Sequence, residues 1–202
     1  MIKLPKISVN SRQVSNLVKA AITSDEWEVA ALMAVARHFL LRVPSEGIPL
    51  QWDGSHSNVA LEPIRASITL YKRKNSRAPV TLTRECCCAA AGERLCAMRW
   101  FHSLRRSSEG SGHVYSVSKH YFARKIKDLA RYLGMEGHAR LGTHAFRRGM
   151  AQDIIDGGGS LGVLMMAGGG SSSAYTAYLR GAQFDDVAVA GALINLSDSE
   201  DE

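Results

Sequence analysis

The feature that most constrains this chain is a change of hydrophobic period in its interior. Residues 11–41 carry apolar side chains at helical spacing: Val14, Leu17, Val18 and Ile22 first, then the long apolar face of SDEWEVAALMAVARHFLL. Ser11 and Ser24 are N-cap candidates for the two helices, and acids follow Ser24 in its first turn. RVPSEGIPLQW, with two prolines and a glycine, ends the pattern in a turn. Over 57–83 the period shortens. SITLY and PVTLT read as strands, and the polar KRKNSR between them predicts a hairpin of a small sheet. Helical spacing then returns. It runs through SVSKHYFARKIKDLARYLGM, with Phe122, Ile126, Leu129 and Leu133 on the apolar side, and through 143–156. A short helix lies between two glycine triplets, which cap and start packed helices better than they link domains. SSSAYTAYLR and GAQFDDVAVAGALINL follow as helices. Residues 84–113, rich first in cysteine and then in serine and glycine, are expected to be loop in part. The predicted class is mainly α with a small antiparallel β-sheet (α+β).

Composition narrows the function. The 202 residues are 46% hydrophobic and 22% charged, which suits one fair-sized domain and excludes a disordered chain. No apolar run reaches the length of a membrane span, and MIKLPKISVN lacks the apolar core of a signal peptide. Four cysteines fit a reduced, intracellular setting better than a secreted one. The net charge is +6, yet the last six residues, SDSEDE, are acidic, so the body is more basic than the total. A basic body favours an anionic partner, with nucleic acid first.

The stretch GTHAFRRGMAQDII (142–155) carries the chemistry. On a helix, Phe146, Met150 and Ile154 form one stripe, while His144 and Arg147 share a neighbouring face. Arg147 lies nearest the apolar stripe and is expected half-buried; Arg148 lies farther round and is expected more exposed. A half-buried arginine needs an anion, and no acid stands three or four positions from Arg147. Its partner must come from elsewhere in the fold or from a ligand. Arginine and histidine at a helix start suit a phosphate. A structural arginine beside a capping histidine is the alternative for an isolated H-x-x-R.

Further residues give this stretch company. FLLRVPSE offers Arg42, LYKRKNSRAPV offers lysines at a hairpin turn, and SSSAYTAYLR offers Tyr178. Arg, Lys, His-x-x-Arg and Tyr in that order resemble the tyrosine recombinases, the integrases of phages and transposons. FLLRVPSE and THAFRRG look most like integrases of eukaryotic mobile elements. The resemblance covers residues 11–196 as a tyrosine-recombinase catalytic domain. Residues 1–10 are then an N-terminal extension, 84–113 an insertion and 197–202 an acidic tail.

The resemblance implies DNA cleavage and rejoining through a 3′-phosphotyrosyl intermediate, with no cofactor. Tyr178 is then the nucleophile, with Tyr175 as its alternative. Arg42 and Arg147 clamp the non-bridging phosphate oxygens, His144 assists proton transfer or donates to the same phosphate, and Lys74 protonates the leaving 5′-oxygen, with Lys72 as its alternative. Glu46 orients an arginine. Lys72, Arg73, Arg77, Lys119, Arg124 and Arg148 are candidate contacts to double-stranded DNA. The last helix would dock onto a second subunit of a dimer or tetramer, in the nucleus if the source is eukaryotic. A type IB topoisomerase shares this residue set. Two departures from the family stand out. RVPSE carries one residue more than the usual Arg-x-Ser-Glu, and Gly170 (or Gly169) stands where the family has His or Trp. Losing such a donor costs about 10²–10³ in rate. A weakened enzyme or a non-catalytic DNA-binding remnant is therefore the second reading. The helical domain that closes the family's clamp also has no counterpart ahead of residue 11, and the expected DNA affinity is correspondingly lower. Separately, Cys86, Cys88, Cys96 and His102 offer thiolates and an imidazole for zinc, with free thiols as the alternative.

Overall fold

The computed structural model describes residues 7–73 and 78–168. Expectations for Lys74, Arg77, Gly169, Gly170, Tyr175, Tyr178, the last two helices and the acidic tail lie outside the described residues.

Two helices open the chain, α1 (Ser11–Thr23) and α2 (Trp27–His38). Asn10, rather than Ser11, caps α1. Its side chain accepts from the Gln13 N–H and the Gln13 side chain accepts from the Asn10 N–H, a reciprocal capping box. Ser11 is diverted to a tertiary bond with Asp153. Ser24 does not start α2 either; it closes α1, and Glu26 precedes α2. Nearly all of α2 is buried, from Val29 to Arg37, which makes it the central rod of the core.

The end of α2 positions the site. Leu40 adopts φ +53°, a left-handed conformation unusual for leucine. The Leu41 N–H bonds the Ala36 carbonyl and the Leu40 N–H bonds that of Arg37, the paired bonds of a Schellman ending in which glycine is commoner. Leu40 is held there by packing against Ala151 and Leu164. RVPSE then forms not a simple turn but a short π-helix, Val43–Gly47, with the Gly47 N–H reaching the Arg42 carbonyl at 3.2 Å. A π turn is the form that a one-residue expansion of a helical turn takes, so the extra residue of RVPSE is absorbed while Glu46 still faces Arg42.

The expected hairpin is one half of a three-stranded antiparallel meander: β1 (Ser57–Leu61), β2 (Arg65–Leu70) and β3 (Val80–Glu85). Ile68 pairs with Val59 on one side and Leu82 on the other, placing one apolar face on the helices. The other face is laced by Ser67–Thr83 and Thr69–Thr81 hydroxyl bonds.

The stretch expected to be loop in part holds a short helix α3 (Cys88–Ala91) and a longer one, α4 (Ala97–Ser107). Met98, Trp100 and Phe101 of α4 are buried, and Phe101 packs edge-on against Phe39 and Trp52. This region is therefore part of the core. α5 (Lys119–Tyr132) is capped by Ser118 and buries Phe122, Ile126 and Leu129; Leu133, expected on the same face, closes the helix and is exposed. α6 (Ala145–Asp156) and α7 (Leu161–Gly168) complete the described chain.

α6 is fixed by close contacts. A Cβ on Gly149 would lie 1.7 Å from the Val9 carbonyl oxygen, so only glycine lets segment 7–9 cross the helix here. Farther along, Asp153 accepts from Ser11 and pairs with buried Arg37 of α2. Among the described residues, no helix is long and apolar enough to cross a membrane.

Candidate phosphate site

Three arginines from separate parts of the sequence converge on one carboxylate. Glu46, 2% exposed, accepts from Arg42 Nη1 at 2.7 Å and from the Arg42 backbone N–H at 2.8 Å. Arg73, just beyond β2, donates to it from Nε at 2.9 Å and from Nη2 at 3.4 Å. Arg147, in the first turn of α6, brings Nη1 within 3.6 Å of Glu46 Oε2, the oxygen that also accepts the Arg42 backbone N–H, and donates from the same nitrogen to the Leu40 carbonyl at 2.6 Å. The strained backbone at Leu40 thus turns its carbonyl toward Arg147 while Arg42, two residues on, faces Glu46.

Electrostatics follow from burial. Desolvation alone would raise the Glu46 pKa. The Arg73 bonds and charge, the Arg42 N–H and the Arg147 charge outweigh it, and the carboxyl stays below its ordinary range. Glu46 is therefore ionised and holds like-charged guanidiniums together. Arg42 retains 13% side-chain exposure and forms the solvent side of the cluster, above the more deeply buried Arg73 and Arg147. His144 is half-buried at the N-cap of α6, one turn before Arg147, with Nδ1 3.4 Å from Thr143 Oγ1.

The structure changes several expectations. Arg147 is fully buried rather than half-buried, and its partners come from Leu40 and Glu46, about a hundred positions away. Arg73, expected as an exposed contact to DNA, is instead buried against Glu46. Arg148 is only part-exposed, because its guanidinium donates to the Ile7 carbonyl. Lys72, Lys119 and Arg124 are exposed, and Arg124 lies over the Tyr121 ring at 5.4 Å. His102 is exposed on α4 and lines a shallow basic depression with Arg99, Arg105 and Arg106, apart from the cysteines. Arg73 was expected to touch DNA; its place in the Glu46 cluster is what sequence reasoning missed. Alternation along β2 buries positions 66, 68 and 70 and would bury 72 next; the chain slips by one beyond Leu70 and turns 73 inward instead.

No protein-family model matches the sequence, and no curated protein does. Solved structures do match. XerH, a site-specific recombinase bound to its difH substrate in a pre-cleavage complex, is similar with a TM-score of 0.62 at 13% identity, over 94% of this chain and 54% of that one. The XerH post-cleavage complex with palindromic difH is similar with a TM-score of 0.63 at 13% identity, over 96% and 54%. The chain thus spans about half the length of these structures and has the fold of a site-specific recombinase. That likeness is one of fold, and it carries no special closeness to integrases of eukaryotic mobile elements.

Proposed function

We propose that this chain is the catalytic part of a tyrosine recombinase that breaks and rejoins double-stranded DNA through a phosphotyrosyl intermediate. The observation that carries the reading is the convergence of Arg42 and Arg147 on Glu46, with His144 one helical turn before Arg147, within a recombinase fold. The XerH structures hold recombination substrates, and the same class of ligand suits this site.

In the proposed reaction, the Tyr178 oxygen attacks a backbone phosphorus. A P–O bond to tyrosine forms, the bond to the 5′-oxygen breaks, and the 3′-phosphoryl group remains on the protein. Arg42 meets a non-bridging oxygen from the solvent side, and Arg147 supports the cluster from below. These fixed charges stabilise the transition state without reorganising. The phenol proton passes toward His144, and Lys74 returns one to the departing 5′-oxygen. Reversal with a new 5′-hydroxyl rejoins the strand, so bond energy is conserved. Integration of a mobile element is the setting that FLLRVPSE and THAFRRG suggest, with subunits joined through the C-terminal segment.

A nicked suicide duplex tests this. Loss of the short 5′-hydroxyl fragment traps the adduct. The expected result is a covalent protein–DNA band that survives Tyr175→Phe and disappears with Tyr178→Phe. The second reading rests on glycine in place of the His or Trp donor. It predicts duplex binding with no adduct under any condition, and that outcome would replace the enzyme with a binding module. Relaxation of supercoiled plasmid without strand exchange would instead favour the topoisomerase reading.

A further inference from the structure

Cys86, Cys88 and Cys96 form a cluster of their own. Cys86 directly follows β3, and its N–H donates to the Ile64 carbonyl at 2.7 Å, which pins it at the end of the sheet. Cys88 opens α3, and Cys96 is buried at the N-cap of α4. The three sulfur atoms lie within 4.8 Å of one another, and Cys86 Sγ is 3.8 Å from Cys96 Sγ. A tetrahedral zinc ion with Zn–S bonds of about 2.3 Å requires S···S edges of about 3.8 Å.

The neighbouring cysteine is differently placed. Cys87 Sγ lies 3.9 Å from His38 Nδ1, and that nitrogen accepts the Ala97 N–H at 3.2 Å. Burial, then the charges of Arg84 and Arg37, hold the His38 pKa at about 4, so the ring is neutral and its Nδ1 lone pair is committed to α4.

We propose that Cys86, Cys88 and Cys96 bind one zinc ion as three thiolates, with water at the fourth position on the exposed Cys86 side. Binding releases the thiol protons to solvent and transfers no electrons. The ion ties the end of β3 to the start of α4, whose Met98 and Phe101 stand in the core. It is thus a structural clamp between sheet and helices. The proposal does not depend on the DNA chemistry.

The test titrates the reduced full chain with Co²⁺ as a spectroscopic probe, then with Zn²⁺. One equivalent of tetrahedral thiolate-bound Co²⁺, displaced by Zn²⁺, is expected. Cys86→Ser, Cys88→Ser and Cys96→Ser should each weaken binding by more than the roughly 10–100-fold that loss of an outer-shell partner costs. Cys87→Ser and His102→Ala should bind as wild type. Cys86 is exposed, so its variant reports on ligation even if the buried Cys96 variant fails to fold. Reduced protein that binds no stoichiometric metal would overturn the proposal. So would loss of the metal in Cys87→Ser or His102→Ala, or retention of it in Cys86→Ser.

Discussion

Replacing Glu46 by glutamine keeps the shape of the side chain and removes the charge that organises the site. The carboxylate accepts three bonds of 2.7–2.9 Å, from Arg42 Nη1, the Arg42 N–H and Arg73 Nε, and faces Arg147 at 3.6 Å. In Glu46→Gln one acceptor oxygen becomes an NH₂ that points at guanidinium donors. Removing one partner of a buried charge cluster costs about 3–5 kcal/mol. For a domain of this size that is a fall in Tm of roughly 6–20 °C, at about 2–4 °C per kcal/mol. The pH dependence has a definite sign. The folded-state pKa of Glu46 is depressed below 4.5, so its contribution is complete above that value and fades as pH falls through the lower folded value. Denaturant unfolding followed by circular dichroism should show a wide gap between wild type and Glu46→Gln at neutral pH, narrowing in acid. A neutral-pH difference under about 0.5 kcal/mol, the range of ordinary surface substitutions, would refute the reasoning.

Other outcomes follow from the same geometry. Gly149→Ala should destabilise the protein, although Gly→Ala inside a helix ordinarily stabilises by about 1 kcal/mol, because the new Cβ would collide with the Val9 carbonyl; an unchanged or raised Tm would contradict the crossing at α6. His38 is held neutral, its pKa lowered from 6.5 to about 4, so stability is complete above pH 6.5 and should fall by about 3 kcal/mol as pH drops toward 4. His38→Asn should flatten that slope in pH-dependent denaturation. Lys119→Ala and Arg124→Ala should weaken duplex binding and reduce its salt slope, as measured by fluorescence anisotropy, while Arg148→Ala should chiefly lower Tm because its guanidinium holds the Ile7 carbonyl.

The elements with strong periodicity were legible without coordinates. Leu17, Val18, Phe122, Ile126 and Leu129 are buried as their spacing requires, and SITLY and PVTLT pair as expected. α4 was obscured by its surroundings: the cysteine run before it and the serine–glycine run after it read as punctuation. Met98, Phe101 and Leu104 nevertheless stand at the i, i+3 spacing of a helix. Cap positions went astray where a polar side chain had a better use, as with Ser11 bonding Asp153. In the site, the need of Arg147 for a partner was visible from its place beside the apolar stripe, but the partner was not. Leu40 and Glu46 lie about a hundred residues earlier, and only tertiary packing joins them. The inward turn of Arg73 was hidden for a related reason, since one slipped residue past a strand reverses every side chain.

The most direct test of the central claim is a crystal structure of the full chain with a nicked suicide duplex. The account predicts a backbone phosphate bonded to Tyr178 and within hydrogen-bond distance of Arg42 and His144, with Glu46 still joining Arg42 to Arg73 and Arg147. Duplex bound on another face, with no phosphate at Arg42, would contradict it.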